Sequence, residues 1–262
     1  FVGIGPRYPW GGLYGGQIVA QALRAAANTV EIDRYPHSLR AYFIRRGDHT
    51  DDVRYDVDRT RDGQTFCTRR VVASQAGAAI LNAEASFQYP EPSVTVDAVT
   101  MPRGLPSPDS LVEDSWTPMY ERAAIPDGVL DRHERTGLGR SAMWMRTVDS
   151  PGDHPVAHWC AMAYLSDDIP TDAVLRAHPL TANQPGDGHD LVFAVSLDHT
   201  IWFHRQLRAD EWHLYEMTCH SFIAGRGLSI GHVFAADGTH VATLAQEVLV
   251  RMRKGEHLTS GS

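Results

Sequence analysis

The sequence predicts an α+β chain made of two consecutive copies of one unit, a helix followed by an antiparallel sheet. Three observations carry that reading. Helix-then-strands occurs twice in order, a proline-rich stretch separates two halves of similar size, and the last strand of each half has a period-two apolar face. At 262 residues the chain is long enough for one large domain or two small ones. Its 43% apolar and 21% charged residues allow a full core.

In the first half, residues 11–30 (GGLYGGQIVAQALRAAANTV) place Ile18, Val19, Ala22, Leu23 and Ala26 at helical spacing after a glycine-rich lead. This predicts a helix of about four turns starting near Gly15 or Gly16. Four β-rich runs follow: HSLRAYFIRRGD, VRYDVDRTRDG, QTFCTRRVVASQAG and AAILNAEASFQ. Gly-Asp, Asp-Gly and Ala-Gly turn signals punctuate them, so they read as an antiparallel meander. In the last run Ala79, Leu81, Ala83, Ala85 and Phe87 share one wholly apolar face, which is expected to cover the helix.

Seven of the 15 prolines fall between residues 90 and 126, with no sustained periodicity, so this stretch reads as a long connection. The expected organisation is therefore a unit over 1–89, a linker over 90–126 and a second unit over 127–262. In the second unit a strand-like SAMWMRTV precedes SDDIPTDAVLRAHPL, read as a helix capped by Ser166. Asp167 and Asp168 would sit at its positive end, with Pro170 in its first turn. LVFAVSLDHTIWFHR, EWHLYEMTCHSFI, GLSIGHVFAADG and THVATLAQEVLVR then read as strands. Within the first of these, unbroken alternation groups Ser196 with Asp198, Thr200 and Trp202, and sets Leu197, Ile201 and Phe203 on the other face. The inward row of the last strand is His240, Ala242, Leu244, Gln246, Val248 and Val250, so an amide replaces the Ala85 of the first unit. A buried amide without partners costs about 1–3 kcal/mol, so Gln246 requires hydrogen-bonding company inside the second unit.

Net charge is −8 and no basic block occurs, which argues against nucleic acid or an anionic membrane as partner. Cys67, Cys160 and Cys219 form no CxxC and are odd in number, as expected of a reducing compartment, with cytoplasm the default. Neither a run of about 18 apolar residues nor a signal-peptide pattern is present, so no membrane insertion is expected. Gly227–Gly231 (GLSIG) matches the G-x-S-x-G pattern of serine hydrolases. That pattern works on a strand-turn-helix elbow, whereas a strand and turn follow here, so a glycine-flanked bend in a long strand is the better reading. The 14 histidines include no HExxH, and His154/His158 and His199/His204 lack companion ligands at metal spacing, so no metal is expected. No phosphate-loop pattern is present and no other cofactor is implied. Glycines at a helix start leave backbone N–H groups open to a negative oxygen, or allow close helix packing; both readings stand for Gly15 and Gly16.

Together YGGQIVAQAL, HSLRAYFIRRGD, RDGQTFCTRR, the ASFQ ending the first unit, YLSDD, LDHTIWFHR and AQEVLVR make the chain resemble the acyl-CoA thioesterase II family over nearly its whole length. The resemblance implies a double hot-dog: two tandem units, each a helix wrapped by an antiparallel sheet, forming an internal pseudo-dimer. It also implies hydrolysis of fatty acyl-CoA to free acid and coenzyme A without a cofactor, and association of chains into a homo-oligomer, dimer or tetramer. The family's catalytic Asp, Ser or Thr, and Gln fall on Asp167, Ser196 and Gln246. Asp167 lies beside Asp168, so the assignment could slip by one residue. Asp167 is expected to act as base, kept ionised by a helix N-terminus, with the oxyanion on N–H groups near Gly15 and Gly16 of the other unit. With Ala85 in place of the amide, the first unit is expected to hold no site of its own. Two other functions fit the fold: an enoyl-CoA hydratase-like enzyme, for which Asp198-His199 is the available pair, and a non-catalytic acyl-CoA-binding protein. Strand neighbours point to opposite faces, which disfavours that pair.

Overall fold

A computed structural model describes residues 1–130, 139–182, 188 and 190–253. Short strand β1 (Val2–Gly3) precedes helix α1 (Gly15–Ala27) and strands β2 (Tyr35–Phe43), β3 (Val53–Asp62), β4 (Phe66–Gln75) and β5 (Ala78–Gln88). After the connection come β6 (Tyr120–Ala124), α2 (Asp127–Leu130), β7 (Arg140–Thr147), α3 (Pro155–Leu165) and α4 (Pro170–Ala177). The chain ends with β8 (Val192–Ser196), β9 (Asp198–Phe203), β10 (His213–Ile223), β11 (Arg226–Ala235) and β12 (His240–Met252). The four strands expected in the first unit therefore form, and α1 starts at Gly15.

The strands join in one antiparallel sheet of order β1-β3-β4-β5-β2-β9-β12-β11-β10-β7-β6, with β8 beside β9 on β12. The seam between the units is β2 against β9, with Leu39 opposite Ile201 and Tyr42 opposite Asp198. A sheet continuous across the seam, with helices packed against it, is the double hot-dog arrangement. Ile18, Val19, Ala22, Leu23 and Ala26 of α1 are buried, as helical spacing requires. The alternation read in β5 holds from Leu81 onward, where Leu81, Ala83, Ala85 and Phe87 are buried while Asn82 and Glu84 face out; before it, at a register shift against β4, Ala79 is only partly covered and Ile80 is buried instead. In β12 every even-numbered residue from His240 to Val250 is buried. Among the described residues no helix is long and apolar enough to cross a membrane.

Three expectations are corrected. The helical layer of the second unit comes in two pieces, and the first, α3, lies in a stretch not read as helix. Its sequence PVAHWCAMAYL is apolar nearly all round because it packs against α1 on one side and β2 and β7 on others, so no amphipathic stripe marks it. Ser166 ends α3 as its C-cap instead of opening a helix, and α4 begins at Pro170 with Ile169 as a cap that makes no side-chain bond. Finally, LVFAVSLDHTIWFHR is two strands. Leu197 interrupts it, donating its N–H to the Glu247 carbonyl, while the Asp198 carboxylate accepts the Glu247 N–H at 2.7 Å. The interruption resets the alternation. His199, Ile201 and Phe203 turn inward, Thr200 and Trp202 are only partly covered, and Ser196 reaches the interior site instead of sharing the Trp202 face.

The connection wraps the second unit. Val99, Met101, Leu105 and Leu111 pack on a cluster containing Trp144, Leu214 and Phe234, and the Trp144 indole donates to the Pro106 carbonyl at 3.0 Å. Its end, from Tyr120, is a sheet strand paired with β7.

Because the seam is a pair of central strands, the two units should unfold together. Ile201→Ala, at a completely buried seam position, is expected to cost about 2–5 kcal/mol while urea unfolding stays a single transition. Two transitions in the variant or the parent would show that the units fold separately.

Candidate active site

The break between α3 and α4 carries the pair whose assignment the sequence left open, and hydrogen bonding separates them. The Asp168 carboxylate accepts from the Trp116 indole (2.9 Å), the Tyr120 hydroxyl (3.0 Å) and the Arg122 guanidinium (2.7 Å). All three donors belong to the connection and β6, so Asp168 is an anchor for that wrap. Asp167 points the other way, toward β8, β12 and the start of α1. Its Oδ1 accepts from Ser196 Oγ at 3.2 Å, and the Gly16 N–H and the Gln246 amide lie against the same carboxylate, where both favour its ionised form.

Gln246 is completely buried in the middle of β12 and has the company its position demands. Its Nε2 donates to Ser196 Oγ at 2.7 Å, and its Oε1 lies 2.5 Å from His199 Nδ1. His199 Nε2 lies 2.8 Å from Ser166 Oγ. The structure thus brings Asp167, Ser196 and Gln246 together and adds two completely buried side chains, His199 and Ser166, which sequence reasoning missed. The same signal that flagged Gln246 was available for His199: counting inward from Ile201 and Phe203 puts an imidazole in an apolar row.

Gly15 and Gly16 lie across the unit boundary against this site. A Cβ on Gly15 would stand 2.4 Å from Asp167 Oδ2 and 3.0 Å from the Phe43 ring. On Gly16 it would meet the Tyr164 carbonyl oxygen. Close packing alone therefore requires glycine at both positions, and the opened helix end supplies an N–H to the carboxylate. The helix terminus beside Asp167 is that of α1, not of a helix begun by Asp167 itself. It does not keep the carboxylate in the ordinary range. Burial dominates and pushes Asp167 up to about 7, against the opposing hydrogen bonds from Ser196, Gly16 and Gln246. Around α1 and this break, the rings of Tyr8, Trp10, Tyr14, Trp116, Tyr120 and Tyr164 meet at 4.9–6.2 Å, giving the site an aromatic wall.

Other candidates resolve differently. Ser229 is buried in mid-strand, opposite Gln246 across β11 and β12, and Gly231 is glycine because a Cβ would strike the Glu216 carbonyl oxygen. GLSIG is thus a strand with close neighbours and no elbow. Asp198 bonds the β12 backbone while His199 points inside, so they form no dyad. Burial pushes all three cysteine thiols up, Cys160 to about 12, which removes thiolate character. His154 Nδ1 accepts the Val156 N–H, and His158 Nδ1 accepts the Ala209 N–H. Among the described residues no three His, Cys, Asp or Glu are placed to hold a metal ion.

A buried carboxylate backed by a hydroxyl and an amide is thus set against a glycine-opened helix end in a double hot-dog. Family models described as the acyl-CoA thioesterase N-terminal and C-terminal domains match residues 5–88 and 94–250. The chain belongs to the acyl-CoA thioesterase II family. It is 36% identical to acyl-coenzyme A thioesterase 8 of Rattus norvegicus, over 92% of this chain and 81% of the relative. It is 31% identical to acyl-CoA thioesterase 2 of Haemophilus influenzae, over 91% and 87%. Among solved structures it is similar to the acyl-CoA thioesterase II TesB2 of Mycobacterium marinum, with a TM-score of 0.82 and 35% identity over 92% of this chain and 90% of that one. A hot-dog protein from Alicyclobacillus acidocaldarius, at 21% identity and a TM-score of 0.75 over 94% and 90%, shares the fold.

Two outcomes follow. The folded state holds the Asp167 proton more tightly than the unfolded chain, whose carboxylate ionises near its ordinary value. The parent's stability therefore falls as pH rises from about 4 to 7, and Asp167→Asn lacks that loss. The melting temperature of Asp167→Asn relative to the parent should climb between pH 5 and pH 8, by the equivalent of about 2–3 kcal/mol. A flat difference would mean that the carboxyl is not raised. Gly15→Ala, whose methyl displaces the carboxylate, should lower turnover about 10²-fold with a much smaller loss of stability; unchanged turnover would place the reacting carboxylate elsewhere.

Proposed function

We propose that the chain hydrolyses a fatty acyl-CoA thioester to free acid and coenzyme A, by attack of a water held on Asp167, Ser196 and Gln246. One observation carries this reading: a buried carboxylate, poised near neutrality, bonded to a hydroxyl and an amide on facing strands at the mouth of a helix. The family membership supports the thioester as substrate, and the rat and bacterial relatives, named acyl-CoA thioesterases, agree with it.

The ionised carboxylate takes a proton from the water as its oxygen bonds to the thioester carbon, and the carbonyl electrons move to oxygen. The carbonyl oxygen then lies near the α1 terminus, where Gly15 and Gly16 leave backbone N–H groups within reach and the helix end favours negative charge. Collapse of the tetrahedral intermediate breaks the C–S bond. A thiol is acidic enough that the leaving thiolate needs no strong acid beside it. Ser196 and Gln246 keep the carboxylate and water aligned, since both donate toward Asp167. One composite site per chain follows, because the residue matching Gln246 in the first unit is Ala85. A cytoplasmic location and association of chains into a dimer or tetramer belong to the same reading.

The test is release of free thiol from fatty acyl-CoA of several chain lengths. Turnover should rise about tenfold per pH unit below pH 7 and level off above it, as a single carboxylate base near 7 requires. Gln246→Ala should keep the fold and lower kcat about 10²-fold. Binding without thiol release would establish the acyl-CoA-binding alternative, and near-parental turnover in Gln246→Ala would sink the site assignment.

A further inference from the structure

We infer that His199 is a positioning residue: as a neutral imidazole protonated on Nδ1 and fixed by Ser166, it holds the Gln246 amide so that Nε2 faces Ser196 and Asp167. The inference rests on the site reading above and adds a residue, a tautomer and a direction to it.

Five side chains form a circuit that begins and ends on adjacent residues. From Ser166 Oγ it runs 2.8 Å to His199 Nε2, from His199 Nδ1 2.5 Å to Gln246 Oε1, from Gln246 Nε2 2.7 Å to Ser196 Oγ, and from Ser196 Oγ 3.2 Å to Asp167 Oδ1. Proton counting gives it one direction. In its ionised form Asp167 only accepts, so Ser196 then donates to it and the Ser196 oxygen receives a proton from Gln246. That fixes the amide with its carbonyl oxygen toward His199. A carbonyl oxygen carries no proton, so the short contact needs the hydrogen on Nδ1. The ring is completely buried, and burial holds its basicity down to about 4, so it is neutral and Nε2 is bare. Nε2 must then accept from Ser166. Ser166 has a second acceptor in reach, the Ala163 carbonyl at 3.0 Å, and only the bond to the ring completes the circuit.

The local fold serves this arrangement. The interruption at Leu197 lets Ser196 and His199, an odd number of residues apart, both reach the interior, and Ser166 stands where it does because it closes α3 one residue before Asp167. Without a donor at Nδ1 the amide is free to invert. Its carbonyl oxygen would then face the Asp167 carboxylate, a donor to that carboxylate would be lost, and Asp167 would hold its proton to higher pH. The groups that face Asp167 are Asp168 in the same turn, Tyr14 and the Gly16 N–H at α1, Ser196 on β8 and Gln246 on β12. His199 on β9 acts only through Gln246.

His199→Phe removes the donor and keeps a ring of similar size; His199→Asn restores a side-chain N–H near the place of Nδ1. In His199→Phe, kcat for thiol release should fall tenfold or more with KM within about threefold, and the acid limb of the pH profile should move up by half a unit or more. In His199→Asn the limb should stay at the parental pH. In a Gln246→Ala background, His199→Phe should move the limb no further. A His199→Phe variant that loses heat stability and activity while its limb stays put would show a purely structural residue and overturn the inference, as would unchanged kcat. Should His199→Phe not fold, the ring nitrogens of the parent protein, read by 15N NMR, decide: protonated Nδ1 with bare Nε2 is expected, and the reverse tautomer overturns it. An inactive Asp167→Asn beside an indifferent His199→Phe rejects this inference alone, whereas an active Asp167→Asn rejects the site reading beneath it.

Discussion

The structure depends on how closely the start of α1 approaches the break between α3 and α4. Two consecutive glycines allow it: any side chain at Gly15 would displace the Asp167 carboxylate, and any at Gly16 would strike the Tyr164 backbone. The approach has two opposed electrical effects. It strips water from Asp167, which raises its proton affinity, and it supplies the Gly16 N–H, which lowers it. Burial wins, with the net result near neutrality instead of near the ordinary carboxylate value. In the role proposed for it, a carboxylate at that level is both substantially ionised at physiological pH and basic enough to take a proton from water. The contact between the helices of the two units is therefore also what sets the proton affinity of Asp167.

Duplication accounts for the single composite site proposed for the chain. Both units end in a strand whose inward row must be apolar to cover a helix, and the first unit obeys this throughout. The second gives up one apolar position to Gln246, and the amide is tolerable there because both its ends are bonded. The remaining polar groups then have to be supplied from other elements, which happens where two regular patterns fail: α3 stops before α4, and the strand run breaks at Leu197. Asp168 contributes to the first failure by drawing the break toward Trp116, Tyr120 and Arg122, leaving Asp167 turned toward the sheet.

What was legible in the sequence was what obeys a period. α1, the four strands after it, the last strand and the anomaly at Gln246 follow from spacing alone. α3 was not legible because it has no polar stripe, a consequence of being covered on several sides. The same segment misled the reading of Ser166, a good helix starter whose actual role is to finish one. The face assigned to Ser196 was wrong for a related reason. Alternation can be carried along a strand only while the strand is unbroken, and the side chain that accommodates the break, Asp198, bonds to the neighbouring backbone in a way no local pattern announces.

Hydrogen-bond direction lies outside any pattern of residue types, and in this site it matters as much as position. Asp167, Ser196 and Gln246 could be placed correctly with the amide reversed, and the carboxylate would then face a second oxygen instead of a donor. Ser196 has one proton, and an ionised Asp167 claims it, so the amide is favoured with its nitrogen toward Ser196. A neighbour of fixed protonation strengthens that preference from the other end. A buried neutral imidazole does so by giving its Nδ1 hydrogen to the amide oxygen, which leaves Nε2 to accept from Ser166. The preference then passes through Gln246 and Ser196 to the carboxylate, so a group one residue upstream of the base helps to hold the base in its working orientation.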